Sequence, residues 1–183
     1  MSTLLIRIGV TTFSIELAGA QTPAPKPAPT KAAAAAPASR VYANLGQLMR
    51  GTLYPASNVI FFAQSENPND VPPAKDPATA TNPLASAYGK WPAVENAGLA
   101  IAEGANLLTI PGRKCANGLN VPLRNPDWAK FVQGLRDAGM AAFKAAQSKN
   151  QDNILEAAGT LSEACAACHE KYRDKPTLAD RCK

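Results

Sequence analysis

The chain of 183 residues has one histidine, His169. Any chemistry that needs two imidazoles is therefore excluded, whether a two-histidine metal centre or a histidine pair working as acid and base. Aromatic residues are scarce at 6%, whereas 46% of residues are hydrophobic, many of them alanine. That balance favours closely packed helices over a sheet faced with aromatic and β-branched residues. No alternating apolar and polar run long enough to predict a strand is present. Lys26, Lys31 and Arg40 supply three of the five net positive charges, which leaves residues 41–183 only weakly basic. Nucleic-acid binding is not expected from so little charge outside the N-terminal segment. Four cysteines are present, but only one C-x-x-C. A structural zinc site, which needs four ligands and usually two such clusters, is not supported.

What is present is Cys165-Ala166-Ala167-Cys168-His169. C-x-x-C-H is the attachment pattern of a c-type haem. Two thiols add across the haem vinyl groups to form thioethers, and the following histidine is placed to bind iron. On a helix these three residues share one face, so all could address one flat cofactor. A thioredoxin-like redox pair is the competing reading. It calls for a βαβ setting, and this stretch is alanine-rich and helical in pattern.

Residues 1–20 read as a secretory signal, with Arg7, a short apolar run and Ala18-Gly19-Ala20 as the cleavage site; Glu16 is out of place in it. Covalent haem is attached outside the cytoplasm, which predicts a periplasmic or otherwise exported protein, tethered to the membrane if the leader stays. Residues 21–40 are a Pro/Ala-rich linker. The domain is expected over 41–183.

Periodicity there predicts four helices. The first covers residues 41–62, with Val41, Leu45, Leu48, Met49 and Leu53 on its apolar face and Pro55 kinking or breaking it. Residues 65–82 read as a long polar surface loop. The second helix covers residues 83–109, with Trp91, Val94, Gly98, Ile101, Ala105 and Leu108 inward and a bend or start at Pro92. In the third, Asn125 caps and Pro126 takes the first turn; Trp128, Phe131, Leu135, Ala138 and Ala142 point inward, and the end falls near Lys149. The fourth starts near Asn153, with Glu156 as its capping partner. Its stripe is Ile154, Ala158, Leu161, Cys165, Cys168 and Tyr172. The expectation is an all-α, antiparallel up-down-up-down four-helix bundle whose last, C-terminal helix carries the haem. In that order Cys115 and Cys182 lie at one end of the bundle and could form a disulfide; the alternative is two surface thiols.

The run Cys165-Ala-Ala-Cys168-His169-Glu-Lys-Tyr172-Arg173, at the end of the last of four helices, resembles cytochrome c′ and its low-spin relatives. Their motif is C-x-x-C-H-x-x-[aromatic]-Arg near the C-terminus. The resemblance covers residues 41–175 by motif placement and helix count. It implies one haem c held by Cys165 and Cys168, His169 as fifth ligand, and Arg173 near a propionate. It also implies that Tyr172 packs the core or the haem edge, and that dimers form through the first two helices.

The sixth ligand separates two functions. With one histidine, the iron's other face must see methionine, a lysine or terminal amine, water or nothing; among the methionines, Met140 falls on the polar face of the third helix and Met1 leaves with the signal, which leaves Met49. The low-spin relatives take their methionine from this helix, in a similar Leu-Met-basic setting. His169/Met49 ligation predicts an exported one-electron carrier, not an enzyme, that works with a redox partner protein. The alternative is a five-coordinate binder of small gases such as nitric oxide or carbon monoxide, its sixth site guarded by Leu45, Leu48 or Leu53. A haem peroxidase is disfavoured because no distal histidine is available.

Overall fold

A computed structural model describes residues 39–182. The expected signal peptide (1–20) and nearly all of the linker (21–40) lie outside the described residues. Four long helices account for most of the rest, with no strand among the described residues beyond an isolated bridge between Lys114 and Asn120. We label them α1 (residues 45–65), α2 (Lys90–Leu107), α3 (Pro126–Ser148) and α4 (Gln151–Tyr172).

Helix α1 begins four residues later than periodicity suggested, because Asn44 stops it with a reciprocal cap. The Asn44 side chain accepts from the Gln47 amide at 2.8 Å, and the Gln47 side chain accepts from the Asn44 amide at 2.9 Å. Nor does Pro55 break the helix. The chain stays helical to Ser65, and the disturbance appears one turn upstream as a π-helical turn, Met49–Leu53. There the Tyr54 amide bonds to the Met49 carbonyl, five residues back rather than four.

The proline-rich segment after α1 is less of a surface loop than its composition suggested. Val71 is buried within it, and Asn69 accepts a hydrogen bond from the Trp91 indole at 2.8 Å. Residues 83–85, expected to open the second helix, form a separate 3-10 turn, and α2 starts at Lys90. Pro92 then falls in the first turn, where its missing N–H leaves no bond unmade.

Asn125 precedes α3 as expected, but its side chain does not cap the helix; it donates to the Tyr172 hydroxyl at 3.4 Å. Lys149, in the left-handed conformation at φ 53°, closes α3. Helix α4 starts at Gln151, two residues before the expected Asn153. The capping side chain is Asn150, which accepts from the amides of Asp152 at 2.8 Å and Asn153 at 3.3 Å.

Each helix packs against two others, α1 on α2, α2 on α3, α3 on α4 and α4 on α1. Ile60, Val94, Ile101, Ile154 and Leu161 fill the middle and are fully buried. Helices α2 and α3 touch backbone to backbone at Gly98 and Gly139. A Cβ on Gly98 would lie 2.6 Å from the Phe143 nitrogen, and one on Gly139 would lie 2.7 Å from that of Ala102. Elsewhere, the Gln151 side chain at the start of α4 donates to the carbonyls of Ala63 and Gln64 at the end of α1, at 2.7 and 3.0 Å.

At one end of the helices the chain is tied together. Cys115 and Cys182 form a disulfide that spans 67 residues. The Arg113 side chain, 5% exposed, donates to the carbonyls of Leu107 and Ala43 at 3.0 and 2.6 Å. Burial lowers its pKa, and the end of α2 gives the cation a favourable dipole. The Leu45 amide donates to the Lys114 carbonyl at 2.8 Å, and the Cys182 amide to that of Tyr172 at 2.9 Å.

Candidate cofactor-binding site

The buried stripe of α4 changes character along its length. Ile154, Ala158 and Leu161 are almost wholly enclosed, whereas Cys165, Cys168 and Tyr172, which continue the same spacing, are only half-buried. They open onto a cavity of about 320 Å³ that reaches α1 and α3. Its size falls within the range of cofactor sites, and its walls are mainly apolar, as such sites usually are.

The residues expected from the sequence to hold the cofactor line one cavity, as do Leu45 and Leu53, whereas Leu48 is buried in the core and does not reach it. Cys165, Cys168, His169 and Arg173 come from the last two turns of α4 and its end; Met49 comes from the π-helical turn of α1. Cys165 and Cys168 are free thiols. Arg173 forms a two-pronged pair with Asp174, with Nε–Oδ1 at 2.7 Å and Nη2–Oδ2 at 2.9 Å. Met140 lies on the outer side of α3, 37% exposed, away from the cavity.

The electrostatics favour neutral groups. Burial pushes the Cys168 thiol up to about 11, with the charges of Cys165 and Asp127 adding to the effect. Burial also raises Cys165, against the pull of Arg173. A redox-active C-x-x-C needs the opposite, a thiol shifted toward thiolate. His169 is held below its ordinary value, first by burial and then by Arg173, with Asp174 opposing. Its imidazole is therefore neutral at pH 7, with a lone pair for a metal. Among the described residues no three His, Cys, Asp or Glu side chains gather into a metal-holding cluster. Two neutral thiols one turn apart, an adjacent neutral imidazole, a thioether from another helix and apolar walls fit a covalently attached haem.

Other wall residues were not assigned to the site from sequence. Trp128 and Phe131 of α3 meet Tyr172 edge-on, with ring centroids 5.1 and 6.2 Å apart. The Tyr172 hydroxyl donates to Asp127, and Lys171 pairs with the same carboxylate at 3.5 Å. The Tyr172 bond is the first cause, and Lys171 a further one, of Asp127 lying below the usual carboxylate range. Trp128 reads as an ordinary core residue in its stripe, and only the packing of α3 on α4 gives it this second role. Cys182, brought in by the disulfide, completes one end of the wall.

The chain matches no protein-family model, no curated protein and no solved structure.

Proposed function

We propose that the chain is a c-type cytochrome of the cytochrome c′ class, exported, with one covalent haem, and that it carries single electrons. One observation carries this reading: Cys165, Cys168 and His169 on α4 and Met49 on α1 line a single, largely apolar cavity. We read the helices as an antiparallel up-down-up-down bundle. The two-residue link from α3 to α4, the Gln151 bonds to the end of α1, and the approach of Leu53 to Gly104 near the end of α2 support that order.

Haem, when bound, supplies an iron that cycles between ferric and ferrous by outer-sphere transfer. The protein's part is to hold and tune it. Cys165 and Cys168 form the two thioethers. His169 offers its neutral imidazole nitrogen, and Met49 its thioether sulfur, a donor that raises the potential. Leu53, Trp128 and Phe131 keep water from the centre, which favours the less charged reduced state. Arg173 places a cation at the wall, and a propionate would compete with Asp174 for it. The Cys115–Cys182 disulfide agrees with an oxidising compartment outside the cytoplasm. Turnover requires a redox partner protein.

Leu45 and Leu53 line the same cavity beside Met49, and this favours a second reading, a five-coordinate binder of nitric oxide or carbon monoxide. Absorption spectra of the purified holoprotein in both oxidation states separate the two. A weak ferric band at about 695 nm is expected from His/Met ligation. A high-spin spectrum that responds at once to carbon monoxide would move the assignment to the gas binder. A protein without haem absorption, made where haem attachment is active, would overturn both.

A further inference from the structure

The apolar stripe of α1 slips by one residue at the π-helical turn. In the regular part, Ala56, Ser57, Ile60 and Ala63 are buried, and steps of three and four lead back to Leu53. Continued at that spacing, the stripe would reach Met49 and then Gly46. Before the turn Leu45, Gly46 and Leu48 are buried, and Leu48, five residues before Leu53, is the one that steps of three and four do not reach. Leu48 thus occupies the core position that an unbroken α-helix would give to Met49. Met49 is moved to the flank, half-buried, and it is this flank that faces the cavity. In the unbroken helix the flank position would belong to Arg50.

The cause lies within the same turn and at Pro55, two residues after it. Pro55 has no amide to give the Gly51 carbonyl four residues back, and its ring crowds that carbonyl. A turn that holds one extra residue relieves both problems. Gly51 itself faces open space, since a Cβ there would meet nothing within 4 Å. We infer that Pro55 is a positioning residue for Met49: it opens the turn that moves the Met49 sulfur out of the core stripe to the flank, where it lines the cofactor cavity beside Arg50. This rests on the reading of Met49 as a haem ligand.

Pro55→Ala restores the missing amide. The turn closes to α, and the segment before it rotates by about 100°, the angle of one residue. Met49 then fills the slot of Leu48, a residue of similar size. The holoprotein of this variant is expected to lose the band at about 695 nm and to bind carbon monoxide. Deleting Gly51 in the Pro55→Ala background removes the extra residue, brings Met49 back to the flank and restores the band. A purely structural role for Pro55 would not be rescued by a deletion.

A second readout does not depend on ligation. The methyl resonance of Met49, assigned by its loss in Met49→Leu, reports whether the side chain sits in the cavity. It should move in Pro55→Ala and return in the double variant. If the wild type lacks the band, ligation by Met49 fails, and the methyl alone decides the positioning role. A methyl unmoved in Pro55→Ala would overturn the inference. So would a double variant that folds, by circular dichroism, without recovering the wild-type methyl position.

Discussion

Met49→Ala should convert the haem from six-coordinate and low-spin to an open-sided centre. The variant is expected to lose the ferric band at about 695 nm and to bind carbon monoxide in the ferrous state without delay. Its potential should fall by on the order of 0.1 V, a modest part of the roughly 0.8 V that axial ligands span. The size of the effect follows from position. Met49 belongs to a different helix from the cysteines and His169, yet lines the same cavity. Removing its side chain takes away a donor and leaves space where it stood. Because the residue is only half-buried, the stability cost should sit near the low end for a methionine truncation, about 2 kcal/mol. Met140→Ala is the matched control. That side chain is on the outer side of α3, so its spectrum and potential should be those of the wild type. Equal spectra for Met49→Ala and the wild type would remove Met49 as a ligand and leave the gas-binding reading.

Loss of the Cys115–Cys182 disulfide should be the largest stability effect. Closing a loop of 67 residues is worth about 4 kcal/mol in the unfolded-chain account. Other links hold the same segments. The Asn117 side chain donates to the carbonyls of Ala179 and Arg181, both at 2.8 Å, and the Cys182 amide donates to Tyr172. These bonds tie the folded ends but, unlike the disulfide, do not constrain the unfolded chain. Cys115→Ser/Cys182→Ser is therefore expected to lower Tm by about 10 °C, at the sensitivity usual for a domain of this size. Both cysteines are buried, at 1% and 8% exposure, so a thiol reductant should act slowly on the folded protein and quickly once denaturant is added. Calorimetry of the double variant checks this. A Tm within about 2 °C of the wild type would mean that the disulfide constrains little, since about 1 kcal/mol already shifts Tm by 2–4 °C.

The parts of this account that were legible in the sequence are those whose signal is local. Cys165, Cys168 and His169 fall within five consecutive residues, so their common face follows from helical spacing alone. The α2 stripe from Trp91 to Leu108 is buried at every expected position, because no proline or polar residue interrupts its rhythm after the first turn. Helix starts were less legible. Asn150 and Asn153 are equally good capping residues by type, and only the backbone geometry selects Asn150. The proline-rich segment hid Val71, since a single apolar residue among prolines has no periodicity to mark it as core. At Leu48-Met49 two neighbouring apolar residues could each take the core position. The sequence leaves that choice open, and the π-helical turn makes it. Trp128 and Cys182 join the site through contacts between distant segments, which no local pattern reveals.

The central claim is a covalent haem at one named pair of cysteines, and peptide mass tests it most directly. Cleavage after Lys149 and Lys171 releases residues 150–171, which contain Cys165, Cys168 and His169. From protein exported by a host that attaches haem, this peptide should carry the added mass of one haem after denaturation and acid extraction, with neither cysteine open to alkylation. The same peptide, recovered with both thiols alkylated and no haem, would contradict the account.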